Sequence, residues 1–206
     1  MEVIPIQHQH LEAVGLALTR AFMEYPLNCY VLPNEERRRQ LLLWTYPRWV
    51  RAMMFSGEAL TTSDCAGAAL WRRPESGLWK WLWYQVRAGL FQAPFKLRPD
   101  ELWRLAKVDA EATKRMRLRL TSPHWVLDLL GVPPERQGEG ISRRLLEPTL
   151  ARADAQGFPC YLITNKEENV VIYGRFGFEV IEEGLMGGTD VMFYELRRPA
   201  QPENNA

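Results

Sequence analysis

Two glycines, Gly138 and Gly140, lie in a polar loop between the apolar run 125–132 and a helix-like segment over 140–156. Glycines let successive backbone N–H groups turn toward one point, and a helix N-terminus adds unpaired N–H groups and the positive end of its dipole. That arrangement suits an anion such as a pyrophosphate, each charge-assisted contact contributing about 1.5 to 3 kcal/mol. The neighbouring residues separate the phosphate chemistries. Ile141 and Ser142 follow Gly140 where an ATP loop needs Lys and then Ser or Thr, and Arg143 stands where a dinucleotide loop needs its third glycine. ATP and NAD chemistry are both disfavoured.

A third pattern fits. In HWVLDLLGVPPERQGEGISRRLL (124–146), Gln137, Gly140 and Ser142 follow the order Gln or Arg, two residues, Gly, one residue, small residue. About thirty residues on, YLITNKEENVVIYGRFGFEV (161–180) places Asn169, Tyr173 and Phe176-Gly177-Phe178 in a strand, helix and strand context. Together the two segments resemble the acetyl-CoA site of the GNAT superfamily, and their wording is closest to puromycin N-acetyltransferase-like enzymes. Ser142 departs from the family's Gly or Ala but is still small. The resemblance implies an α/β GNAT fold: a mixed central β-sheet flanked by helices.

It also implies roles. Backbone groups of Leu130, Gly131 and Val132 would pair with the pantetheine arm of acetyl-CoA as an added strand does. The loop Gln137, Gly138, Glu139, Gly140, Ile141 and Ser142 would hold the pyrophosphate, Asn169 would hydrogen-bond the pantetheine, and Arg143 or Arg144 would reach the adenosine phosphates. Tyr173 would be the catalytic acid: an unperturbed phenol with a pKa near 10 keeps its proton at neutral pH, and the leaving thiolate needs one. A backbone N–H near Leu129 or Leu130 would polarise the thioester carbonyl. The attacking amine must be neutral, and Asp128 and His124 are candidate bases that no motif singles out. With no Ser-His-Asp order and no metal-ligand spacing, direct transfer in a ternary complex is expected over an acyl-enzyme.

These residues need elements to hold them. Periodicity predicts a helix over 11–22, ended by Pro26, and a second over 35–55, interrupted or kinked at Pro47. Segments 58–62 and 67–71, joined by Ser63-Asp64-Cys65-Ala66, read as a hairpin. Residues 75–121 read as a helical insertion with Asp100 near a cap, covering the acceptor side. Strand 125–132, helix 140–156 with a kink at Pro148, strand 160–164 and a short helix 169–175 follow, and Asn169 is a good N-cap type. Strand-like pieces FEVIEE and VMFYELR complete the order. One domain over 1–198 and a frayed tail over 199–206 are expected.

Composition bounds the rest. Lys and Arg total 26 against 25 Asp and Glu, so no global charge attracts nucleic acid, and Lys114, Arg115, Arg117 and Arg119 read as a solvated helix face. Trp79, Trp81, Trp83 and Tyr84 read as a packed face or a pocket wall before a membrane patch. No apolar run approaches the roughly 18 residues that span a bilayer, and the start does not resemble a secretory signal. Three widely spaced cysteines make neither a disulfide framework nor a zinc site, which points to a reducing cytoplasm. The expected reaction is acetyl transfer from acetyl-CoA to a primary amine of a small molecule, without metal, nucleic acid or membrane; a homodimer is compatible with it. A noncatalytic acyl-CoA sensor, or an enzyme acting on protein lysines or N-termini, would carry the same cofactor loop.

Overall fold

The computed structural model describes residues 1–74, 83–84, 86–119 and 122–201. The expected hairpin is β2 (Gly57–Thr62) paired antiparallel with β3 (Ala68–Arg72), Leu60 facing Ala69. Strand β4 (Trp125–Gly131) runs antiparallel to β3 and parallel to β5 (Cys160–Thr164). Helix α6 (Ile141–Ala155) makes the crossover that a parallel pair requires. Strand β7 (Met192–Arg198) pairs antiparallel with β5 and with β6 (Glu179–Leu185), and β1 (Val3–Pro5) closes the far edge in the order β1-β2-β3-β4-β5-β7-β6. The sheet is mixed and flanked by helices.

Strand alternation distributes the core. Leu60, Ala69 and Trp71 meet Leu145, Leu146 and Leu150 of α6 on one face. Ala59, Ala68 and Leu70 meet α1 (Leu11–Phe22) and α3 (Glu35–Ser56) on the other, through Val14, Leu18, Tyr46 and Met53. Of the interruption or kink expected at Pro47, the interruption does not occur: helix α3 is continuous through it, and the proline faces Gly15 of α1. A Cβ on Gly15 would come within 2.4 Å of Pro47 Cγ, so the glycine lets the two helices approach. Helix α6 likewise runs unbroken through Pro148.

Helix α1 ends at Phe22 as expected, and Pro26 beyond it opens a short helix α2 (Pro26–Val31), where a proline costs no hydrogen bond. In the expected insertion, α4 (Ala93–Lys96) and α5 (Pro99–Arg119) are described, whereas 75–82, 85 and 120–121, with Trp79 and Trp81, lie outside the described residues. Asp100 sits in the first turn of α5, but Glu101 does the capping by accepting from Arg98 N–H at 2.8 Å. Lys114, Arg117 and Arg119 are exposed, as the solvated-face reading expects, and Arg115 is half-buried. Arg115 and Arg119 both pair with Glu182, and Arg119 also reaches fully buried Glu195, which accepts from Tyr161 Oη at 2.9 Å. At the C-terminal end, Gln201 N–H donates to Asp154 Oδ1 at 2.8 Å, three residues into the expected tail, and 202–206 lie outside the described residues.

Candidate active site

Strands β4 and β5 pair only as far as Leu127 opposite Leu162 and then part. Just beyond, Leu70 and Trp71 of β3 face Leu129 and Leu127, which leaves Asp128 as an unpaired bulge residue. Bulges beside sites commonly re-aim a side chain. The opening between the two strands is flanked by two cavities, a cleft of about 810 Å³ and a smaller one of about 230 Å³. Leu130, Asn169 and Tyr173 border both.

The large cleft gathers Leu130, Val132, Gln137, Gly138, Gly140, Ile141, Ser142, Arg143, Asn169 and Tyr173. Gly138 and Gly140 have φ of +86° and +74°, conformations that favour glycine, and a Cβ at either would meet no protein atom within 4 Å. Gly140 precedes α6 without a side-chain cap, so the first-turn N–H groups of Ile141, Ser142 and Arg143 lack an intrahelical acceptor and face the cleft. Gln137 bridges the loop to the strand, its Nε2 donating to Val132 O at 3.2 Å. Lys166 and Arg175, which the sequence reading missed, line the cleft and form no ion pair among the described residues.

Three expected residues stand differently. Gly131 does not line the cleft. A Cβ there would meet Phe22 at 2.6 Å and Leu18 at 2.7 Å, so it is the close-approach point of α1 on β4. The Glu139 side chain turns to Arg136 at 2.7 Å, and Arg136 also holds Asp64, leaving Glu139 only backbone groups for a ligand. Arg144 donates to Met1 O at 3.0 Å, whereas Arg143 borders the cleft.

Helix α7 (Glu167–Gly174) brings Asn169 and Tyr173 to the shared wall. Lys166 is the N-cap residue, so Asn169 does not cap: it lies one turn inside and donates to Thr164 Oγ1 at 2.8 Å. The same Thr164 oxygen lies 3.2 Å from Tyr25 Oη, which accepts from Asn165 N–H at 2.8 Å. Tyr173 is 6% exposed, and its hydroxyl makes no hydrogen bond among the described residues. Burial, with a smaller contribution from the nearby Tyr25 phenol, raises its pKa above the ordinary value, so the site holds a neutral phenol.

The smaller cavity is walled by Phe22, Tyr25, Tyr46 and Trp49 from the α1–α3 region and by Ala112 and Met116 of α5. Sequence reasoning missed these aromatics, having looked for an aromatic wall in the Trp-rich stretch; of its described members, Trp83 is exposed and Tyr84 stacks on Phe55 at 5.8 Å. Asp128 borders this cavity and pairs with Arg72, while His124 borders neither cavity and binds Ser122 O through Nδ1 at 2.5 Å.

Burial also raises the pKa of Tyr46 and Tyr161. An unfolded phenol ionises near pH 10 while these three resist, so their contribution to stability is complete below about pH 10 and is lost as pH rises toward their native values. Each should remove about 1.4 kcal/mol per pH unit in that window. Urea unfolding at a series of pH values should show a steep fall above about pH 10, made shallower by Tyr46→Phe; a flat profile contradicts the assignment.

No family model matches the chain. An uncharacterized N-acetyltransferase of Schizosaccharomyces pombe is 29% identical over 180 residues, spanning 84% of this chain and 72% of the relative. A structure described as histone acetyltransferase HPA2 and related acetyltransferase, from Corynebacterium glutamicum, superposes with a TM-score of 0.67 at 18% identity over 98% of each chain. The chain has the GNAT fold. Two further solved structures share the GNAT fold: arylalkylamine N-acetyltransferase 2 of Aedes aegypti (TM-score 0.58, 16% identity, 97% of this chain and 99% of that one) and PaiA N-acetyltransferase of Thermoplasma acidophilum in complex with coenzyme A (0.54, 13%, 96% and 98%). Among the described residues no helix is long and apolar enough to cross a membrane, and no cluster of His, Cys, Asp or Glu suits a metal.

Proposed function

We propose that the chain transfers acetyl from acetyl-CoA to the primary amine of a small molecule by direct attack, the two substrates entering from opposite sides of Tyr173. The observation that carries this reading is the placement of Tyr173 and Asn169 on the wall common to the loop-lined cleft and the aromatic cavity. The cleft fits CoA on its own chemistry. It combines open space above two positive-φ glycines, free amides at the start of a 15-residue helix, and the cations Arg143, Lys166 and Arg175. The small volume of the aromatic cavity, about 230 Å³, supports a small acceptor over a peptide, which needs an extended groove. The arylalkylamine specificity named for the Aedes aegypti relative agrees with it.

Bound acetyl-CoA supplies the thioester acetyl group. Residues of the loop 137–142 and Arg143 bind the diphosphate end, Leu130 and Val132 offer backbone groups along the β4 edge that β5 leaves open, and Asn169 holds the pantetheine. Tyr173 holds a proton at Oη for the leaving sulfur. Asp128, placed on the acceptor side by its bulge, accepts the proton of the amine, a role His124 is too remote to fill. Thiol release from acetyl-CoA should rise with a panel of small primary amines. Saturable CoA binding without thiol release on any amine would overturn this reading in favour of an acyl-CoA sensor.

A further inference from the structure

The acceptor cavity does not end at its aromatic wall. Leu27, Asn28, Tyr46, Trp49, Ala112 and Met186 border it and also border a third space of about 300 Å³ lined by residues of α2, α3, α4 and α5. The two compartments differ in chemistry. Tyr25 Oη, Thr164, Asn165 and Asp128 all belong to the compartment shared with Tyr173, and none borders the third space. The third space is instead walled by side chains such as Leu41, Leu42, Leu97, Leu105 and Val108, with Lys96 and Asp109 exposed at its rim. Asn28, polar and at the junction, has its amide committed to Phe22 O at 2.9 Å and Tyr46 Oη at 3.2 Å.

An occupant of both compartments therefore has a polar end at Tyr173 and a hydrocarbon end away from it. The acceptor compartment alone falls below the roughly 300 to 1,000 Å³ typical of small-molecule sites, and the two together fall within that range. We infer that the third space is a tail-binding subsite, and that the acceptor is a primary amine carrying an apolar alkyl or aryl tail. This rests on the amine-acceptor reading for the identity of the head group. The walls come largely from α2 to α5, outside the segment that carries the cofactor motif, so the subsite is a feature of how this chain covers its acceptor side.

Calorimetric titration of the full chain with ethylamine, butylamine, hexylamine and octylamine, with thiol release followed in parallel, tests it. Affinity and kcat/KM should each rise roughly fourfold per added methylene until the subsite fills, as burial of about 0.8 kcal/mol per methylene requires. Ala93→Trp, at a half-buried position of α4 that borders only the third space, should abolish that rise while leaving ethylamine unaffected. Leu105→Ala should move the plateau to longer tails. Affinity that is undetectable or independent of tail length, or a rise that Ala93→Trp leaves intact, overturns the inference. Length-dependent binding without thiol release keeps the subsite and refutes the amine-transfer reading, so the two failures are distinguishable.

Discussion

Replacing Gly140 by valine is expected to weaken CoA binding by about a hundredfold or more while the chain still folds. At φ +74° a β-branched residue costs about 1 to 2 kcal/mol in backbone strain, and relief of that strain turns the amides of Ile141 and Ser142 off their common target. Each misdirected charge-assisted contact costs a further 1.5 to 3 kcal/mol or so, and about 2.7 kcal/mol is already a hundredfold. The new side chain has no protein atom to strike within 4 Å, so it intrudes on the ligand and not on the core. Gly157→Val is the matched control. Gly157 also has positive φ, +70°, and open space around its Cβ, but it follows the other end of α6 and should impose similar strain without changing CoA affinity. Equal effects of the two substitutions on CoA binding would remove the loop from the account.

Tyr173→Phe should lower kcat by about a hundredfold, the lower end of what a positioned acid contributes, and leave CoA affinity within about twofold. The split follows from the environment of the hydroxyl. It has no hydrogen-bond partner among the described residues, so its removal orphans no group, and the edge-on contact of the ring with Phe178 at 5.8 Å is kept. A change confined to kcat separates loss of a proton donor from loss of a wall. Undiminished turnover of the variant across the pH range would exclude the acid role.

The loop-lined cleft was legible because it is local. Strand, loop and helix are consecutive in 125–155, and the second motif places Asn169 and Tyr173 on one short helix. One local detail went astray: Asn169 lies one turn inside the helix it was expected to cap. The acceptor side was not legible. Tyr25, Tyr46 and Trp49 look like ordinary amphipathic-helix residues in sequence, and only the packing of α1 to α3 against the parted strands assembles them with Asn165 and Asp128, over a hundred positions away for Tyr25 and Asn165. Pro26 marks the end of α1 as read and also opens α2, whereas Pro47 does not interrupt α3 but is the contact that seats it on Gly15.

The most direct measurement is a crystal structure of the CoA complex. The account predicts the diphosphate against the N–H groups of 138–143, the pantetheine along the open edge of β4, and the thiol at the junction of the two cavities facing Tyr173 Oη. CoA bound away from this loop, or with its thiol directed away from Tyr173, would contradict it.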